Sequence, residues 1–156
     1  SEEEVKNYRV REAGRAVVVD KDGMVALLHV TKESYYKLPG GGIEETEDKM
    51  VALARECQEE IGCDVEVIGE IGTIVEYRKI FTLKQTSYCY LAKVKGEKGK
   101  PDFTDHEKEN GFEQVWLPYD QALKVLSESK ATNIEGSAYI VPRDTAFLQE
   151  AKNLIT

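Results

Sequence analysis

Glu56, Glu59 and Glu60 stand at i, i+3 and i+4 in "RECQEEIG" (residues 55–62), behind Arg55 and ahead of Gly62. On a helix the three carboxylates share one face, where like charges repel by roughly 0.2–0.5 kcal/mol per pair. Such a face suits a hard divalent cation. Mg²⁺ takes octahedral oxygen ligands, keeps some waters, and binds through a few carboxylates and a substrate's own phosphates. A solvated acidic surface is the competing reading, since charge runs commonly face water. "KLPGGGIE" (37–44) adds a second signal, because glycine backbone can pass close to an acidic helix and to a bound phosphate. It is not a P-loop, whose GK[ST] ending is missing.

Positioning that face takes a helix and a frame behind it. From Thr46 the period is helical, and Met50, Leu53, Ala54, Cys57 and Ile61 form the expected buried stripe. Thr46 is the expected N-cap, Glu47 and Asp48 suit the positive end of the dipole, and Gly62 is the expected C-cap. "RAVVVDKDGMVALLHV" (15–30) reads as a hairpin with Gly23 in the turn, and "YYKLPGGGIEET" after it as a loop. "DVEVIGEIGTIVEYR" and "FTLKQTSYCYLAKVKG" read as two long antiparallel strands, residues 97–111 as a charged loop, and "FEQVWLP" (112–118) as a short strand. "YDQALKVLSE" and "RDTAFLQEAKNLI" read as helices. Hairpins mixed with helices, without strict βαβ alternation, predict an α/β domain other than a doubly wound parallel one.

The bulk numbers agree with a single soluble domain spanning 1–156. The 156 residues are 41% hydrophobic and 32% charged, and no apolar run reaches the roughly 18–20 residues that span a bilayer. The acidic start carries no apolar core of a secretory signal, and Ser1 in place of Met reads as a processed start. A formal charge of −8 argues against duplex nucleic acid as partner, yet permits a small phosphorylated ligand where a cation reverses the local field. Cys57, Cys63 and Cys89 show no metal spacing, so a cytoplasmic protein with reduced thiols is expected.

Residues 41–63 resemble the box of the Nudix hydrolase family: a glycine, five residues, Glu, seven residues, then Arg-Glu-U-x-Glu-Glu-x-Gly-U, with U a bulky aliphatic. Here Gly41, "GIEET", Glu47, "DKMVALA" and "RECQEEIGC" fill it, matching every fixed position. The departures are Cys57 and Cys63 at the U positions, where cysteine packs as a small hydrophobe. The resemblance implies an α/β/α sandwich around a mixed sheet. It also implies hydrolysis of the diphosphate linkage of a nucleoside diphosphate bonded to a group X, a nucleoside triphosphate (MutT-like) or another derivative, with Mg²⁺ or Mn²⁺ as cofactor.

Carried onto this chain, the resemblance makes Glu56, Glu59 and Glu60 metal ligands, with the Gly40 carbonyl as a further one. Arg55 orients the carboxylates, and Glu47 and Gly62 complete the box, Glu47 either as a helix-start residue or at the metal. The general base is a box carboxylate or one from a later loop, where Glu107, Glu109 and Glu113 stand. The catalytic set is taken as Glu59, Glu56, Arg55 and Glu109. Gly41, Tyr77, Arg78 and Phe81 are the expected substrate contacts, the aromatics for stacking and the arginine for phosphate. His106 is an outside candidate for the base, while His29 and Trp116 read as structural. A monomer or homodimer acting on a small phosphorylated nucleotide, with no membrane partner, is expected. The alternative is a non-catalytic nucleotide-binding or regulatory module on the same fold; such a module would normally have lost box carboxylates.

Overall fold

In the computed structural model, which describes residues 5–155, the two apolar runs of the predicted hairpin become the centre of a sheet. β1 (Arg9–Val19) and β2 (Met24–Val30) meet beside the turn at Val19↔Val25. There the Asp20 carboxylate accepts from the backbone N–H groups of Asp22 and Met24, and Gly23 takes a φ of 80°. "AVVV" and "VALL" are continuous apolar runs because both faces of these strands are covered. From the turn the strands take different partners. β1 pairs with β4 (Gly40–Gly42) and runs parallel to β6 (Leu83–Lys95), while β2 pairs with β3 (Tyr35–Lys37) and β7 (Phe112–Pro118). β5 (Asp64–Arg78) lies antiparallel to β6, giving a mixed seven-stranded sheet of path β3-β2-β1-β6-β5.

Helices cover both faces. α1 (Lys49–Ile61) packs Leu53, Cys57 and Ile61 against Ala16, Val18, Ala26 and Leu28. The other face carries Val17, Val25, Leu27 and Leu91 under α3 (Tyr119–Ser127) and α4 (Val141–Ile155), which supply Leu126, Phe147 and Leu148. A π-helical turn, Glu135–Ile140, leads into α4. The expected α/β/α sandwich is what forms.

Local expectations fail in instructive places. β1 starts at Arg9, six residues before the predicted hairpin begins at Arg15, because the parallel ladder to β6 continues to Arg9↔Leu83. Residues 35–46 are not all loop: Gly40, Gly41 and Gly42 pair with Arg15, Gly14 and Ala13. The N-cap is Asp48, whose carboxylate accepts from Met50 N and Val51 N, not Thr46. The buried face of α1 is Ala52, Leu53, Glu56, Cys57, Glu60 and Ile61, so Met50 and Ala54 lie outside it. The helix is turned so that two of its glutamates face inward.

Gly40 is where the chain passes closest to itself. Its φ is +146°, and a Cβ there would stand 2.2 Å from the Gly14 carbonyl oxygen and 2.8 Å from Arg15 Cα. Gly40→Ala should destabilise the protein by on the order of 3 kcal/mol in urea unfolding. Gly23→Ala, whose Cβ would meet nothing within 4 Å, should cost about 1 kcal/mol through its positive φ alone. Equal losses would contradict the close-approach argument.

Candidate active site

Gly62 does more than end α1. Its αL conformation lets its carbonyl accept from Gly99 N at 2.8 Å, while the Glu59 carbonyl accepts from Asp102 N at 2.7 Å. A Cβ on Gly62 would sit 2.4 Å from the Lys100 carbonyl carbon. The 97–104 segment is thereby docked on the C-terminus of α1, and it delivers a short helix, α2 (Asp105–Glu109). Thr104 and Glu107 form a capping box there: Thr104 Oγ1 accepts from Glu107 N at 3.2 Å, and Glu107 Oε1 accepts from Thr104 N at 2.9 Å. Glu107 is fixed in this way facing Glu60.

Glu56, Glu60 and Glu107 offer carboxylate oxygens that all lie within 4.8 Å of one another. Neighbouring ligands of an Mg²⁺ octahedron stand about 3.0 Å apart and opposite ones about 4.2 Å, so three carboxylate oxygens already within 4.8 Å of one another can converge on such an ion by moving inward. Burial pushes the pKa of the Glu56 and Glu60 carboxyls above the usual carboxylate range. Lys37 offsets part of that: its ammonium lies 3.5 Å from Glu60 Oε2 and donates to the Gly40 carbonyl at 3.3 Å. Glu60 Oε1 accepts from Gly40 N at 2.7 Å. Burial pushes Glu60, the fully buried member, up, while hydrogen bonds from Glu60 and Thr104 hold Glu107 down against its own burial.

Arg55 ties the rest of the box together. Its Nε and Nη2 donate to the two oxygens of Glu47 at 2.9 Å each, Nη2 reaches the Gly42 carbonyl at 3.2 Å, and Nη1 reaches Glu56 at 3.1 Å. Glu59, half-exposed, ion-pairs the same Nη1 at 3.6 Å. Hydrogen bonds from Arg55 hold the Glu47 carboxyl down at about 2. Gly41 is tight against Glu56, since a Cβ on it would stand 2.5 Å from Glu56 Oε1.

The carboxylates line one part of a cleft of about 360 Å³, and arginines line another. On β1, Arg11 and Arg15 share a face by strand alternation, with Gln85 of β6 opposite Arg11. Arg143 of α4 donates to Asp144 at 2.8 Å and to Glu76 at 3.0 Å. Arg78 reaches Glu76 at 3.2 Å and Glu135 at 3.4 Å. Arg15 is 4% exposed, and burial lowers its guanidinium to about 10, so it stays charged at neutral pH.

The NUDIX domain family model matches residues 10–139. This chain belongs to the NUDIX family. A relative from Streptomyces rubellomurinus (strain ATCC 31215), named CMP-5'-(N-acetyl-N-hydroxy-3-aminopropyl)phosphonate hydrolase, is 27% identical over 135 residues. That match covers 82% of this chain and 62% of the relative, so the chain spans about three-fifths of the relative's length. The crystal structure of MutT protein from Methanosarcina mazei Go1 superposes with a TM-score of 0.65 at 15% identity, covering 96% of this chain and 98% of that one. The C. elegans Ap4A hydrolase superposes with a TM-score of 0.65 at 16% identity, covering 95% and 100%. These two likenesses are of fold.

In this Nudix protein the structure gathers Glu56, Glu60, Gly40, Gly41 and Arg78 around the cleft. Glu59 stays with Arg55 outside the 4.8 Å cluster. Glu109 is exposed two residues beyond Glu107, on the opposite side of α2, so the loop carboxylate that enters is Glu107. Glu113 is exposed on β7 opposite His29, while His106 lines the cleft. Tyr77 and Phe81 are 52% and 42% exposed and lie outside the cleft lining, Phe81 packing obliquely on Tyr139. Trp116 packs beside the core with Lys98 over its ring, and His29 stacks on Tyr36. Sequence reading missed Lys37, Arg11, Arg15, Gln85 and Arg143. The one available pointer to Glu107 was the Thr104-x-x-Glu107 capping signature. Thr104→Ala should cost about 1 kcal/mol of stability and weaken Mn²⁺ binding roughly tenfold by calorimetric titration. Unchanged Mn²⁺ affinity would show that Glu107 needs no cap to reach the site.

Proposed function

We propose that this Nudix hydrolase cleaves the diphosphate linkage of a nucleoside diphosphate bonded to X, a nucleoside triphosphate or another nucleoside diphosphate derivative, using Mg²⁺ or Mn²⁺. The observation that carries the reading is the convergence of Glu56, Glu60 and Glu107, from two separate elements, at a cleft that Arg11, Arg15, Arg78 and Arg143 also line. The names of the Streptomyces and C. elegans proteins, both hydrolases of nucleotide derivatives, support the substrate class.

A divalent cation held by Glu56, Glu60 and Glu107 would supply Lewis acidity toward the phosphate oxygens and toward the attacking water. The chain's own residues do the rest. The water attacks phosphorus and the phosphoanhydride P–O bond breaks, the departing phosphate keeping the electron pair. Among the box carboxylates that ion-pair with Arg55, Glu56 lines the cleft and Glu59 does not, so Glu56 is assigned as proton acceptor and Glu59 as a residue that positions Arg55. Arg78 and the other cleft arginines meet substrate anions. The reading takes residues 1–156 as one domain, monomer or homodimer, working in the cytoplasm. No helix among the described residues is long and apolar enough to cross a membrane.

The test is hydrolysis of a panel of nucleoside triphosphates, nucleoside diphosphate sugars and dinucleoside polyphosphates, with Mg²⁺, with Mn²⁺ and with EDTA. Glu60→Gln keeps an oxygen for the Gly40 N–H, so it should fold, and kcat should fall at least about 100-fold. Chelation should abolish turnover. Metal-independent cleavage, or full activity in Glu60→Gln, would contradict the reading; metal binding without turnover across the panel would favour a binding module.

A further inference from the structure

Resting on that reading of the cleft, one part of it sets four arginines against three acids, a local excess of one positive charge before Glu56, Glu60 and Glu107 of the metal side are counted. Arg11, Arg15, Arg78 and Arg143 face Glu76, Glu135 and Asp144. Each of these acids is already engaged: Glu76 by Arg78 and Arg143, Glu135 by Arg78, and Asp144 by Arg143 and the Leu38 N–H. Arg11 is spent on the Gln85 side-chain oxygen at 2.8 Å. Arg15 stands apart: its Nε is buried without a hydrogen-bond partner, and the favourable charges it feels are those of Asp144 and Glu60.

The orphaned donors cluster there. Arg78 Nε, Arg143 Nη2 and Gln85 Nε2 are also buried and unpartnered, on side chains that line the same cleft and are 3%, 3% and 1% exposed. A buried, unmade hydrogen bond at a charged donor is among the costlier features a fold can keep. Four such donors on side chains that line one cleft, three of them on guanidinium groups, suit the oxygens of an anion better than a neutral group. The aromatic rings of this lining are buried Tyr35, half-buried Phe112 and exposed His106, while Tyr77 and Phe81 lie elsewhere.

We propose that the floor made by Arg15, Arg78, Arg143 and Gln85 binds a second anionic group of the substrate, a phosphate, phosphonate or carboxylate outside the scissile diphosphate. The enzyme then selects nucleoside diphosphate derivatives whose X is anionic over those whose X is neutral. The diphosphate stays with the carboxylates and their cation, and the extra anion takes the surplus arginine.

Two experiments test this separately from the catalytic reading. The first is the thermal unfolding of the EDTA-treated protein with inorganic phosphate against chloride at equal ionic strength. Phosphate should raise the wild-type midpoint, and the rise should vanish in Arg15→Gln. Arg15→Gln removes a buried cation whose Nε has no hydrogen-bond partner, so it should itself melt no lower than wild type in chloride. The second is kcat/KM, with Mg²⁺, for a matched pair: a nucleoside diphosphate hexose and the corresponding hexuronate. The uronate should be preferred roughly 10- to 100-fold, and Arg15→Gln should collapse that ratio toward parity. Should Arg15→Gln not fold, Gln85→Glu is the near-isosteric alternative. It would pair with Arg11, cancel the surplus charge, and collapse the same ratio. Equal use of hexose and uronate, with no phosphate effect on melting, overturns the anion floor and leaves the hydrolase reading standing. Phosphate stabilisation lost in Arg15→Gln without turnover of either sugar keeps the floor and removes the substrate reading.

Discussion

Glu60 is 1% exposed and shares its surroundings with two further carboxylates, Glu56 and Glu107. Taking one carboxylate out of water costs several kcal/mol even after relaxation, and crowding three together adds repulsion. Within the chain the compensation is partial: one N–H from Gly40, and the Lys37 ammonium at 3.5 Å. Much else in the fold exists to hold this arrangement. Gly41 clears space for Glu56, Gly62 lets the 97–104 segment dock, and the Thr104 cap aims Glu107 inward. A cation at the centre of the cluster would convert the repulsion into ligation.

The same cleft answers the opposite charge on its other part. A metal-side group of acids and a floor of arginines sit on opposite faces of one sheet, α1 bringing the first and β1, β5, β6 and α4 the second. The parallel pairing of β1 with β6 is what aligns Arg11 with Gln85 and carries Arg15 beside Gly40. A net-negative protein can therefore hold a strongly anionic substrate, because the negative charges that matter locally are either ligands or already paired.

Much of this was legible in the sequence for a physical reason. The box is local: its glutamates are one helical turn apart, so spacing alone puts them on one face, and Gly62 stops the helix through its own backbone preference. Hairpins mixed with helices gave the α/β class, and the sandwich itself came from the resemblance of residues 41–63 to the Nudix box. What escaped was non-local. Arg11 and Arg15 precede an apolar run and look like solvent-facing charge until a parallel neighbour places Gln85 opposite. Arg143 and Asp144 look like an ordinary surface pair on an amphipathic helix, yet both are buried over β5. Glu107 and Glu109 are near-identical in sequence context, and only the capping box with Thr104 separates them.

The central claim is that buried carboxylate repulsion is relieved by a divalent cation, and unfolding by urea measures it directly. With Mg²⁺ at 100 times its dissociation constant, the folded protein should gain about 2.7 kcal/mol over the same protein in EDTA, and Glu60→Gln should lose most of that gain. Identical unfolding midpoints with and without Mg²⁺ and Mn²⁺, in wild type and mutant alike, would contradict it.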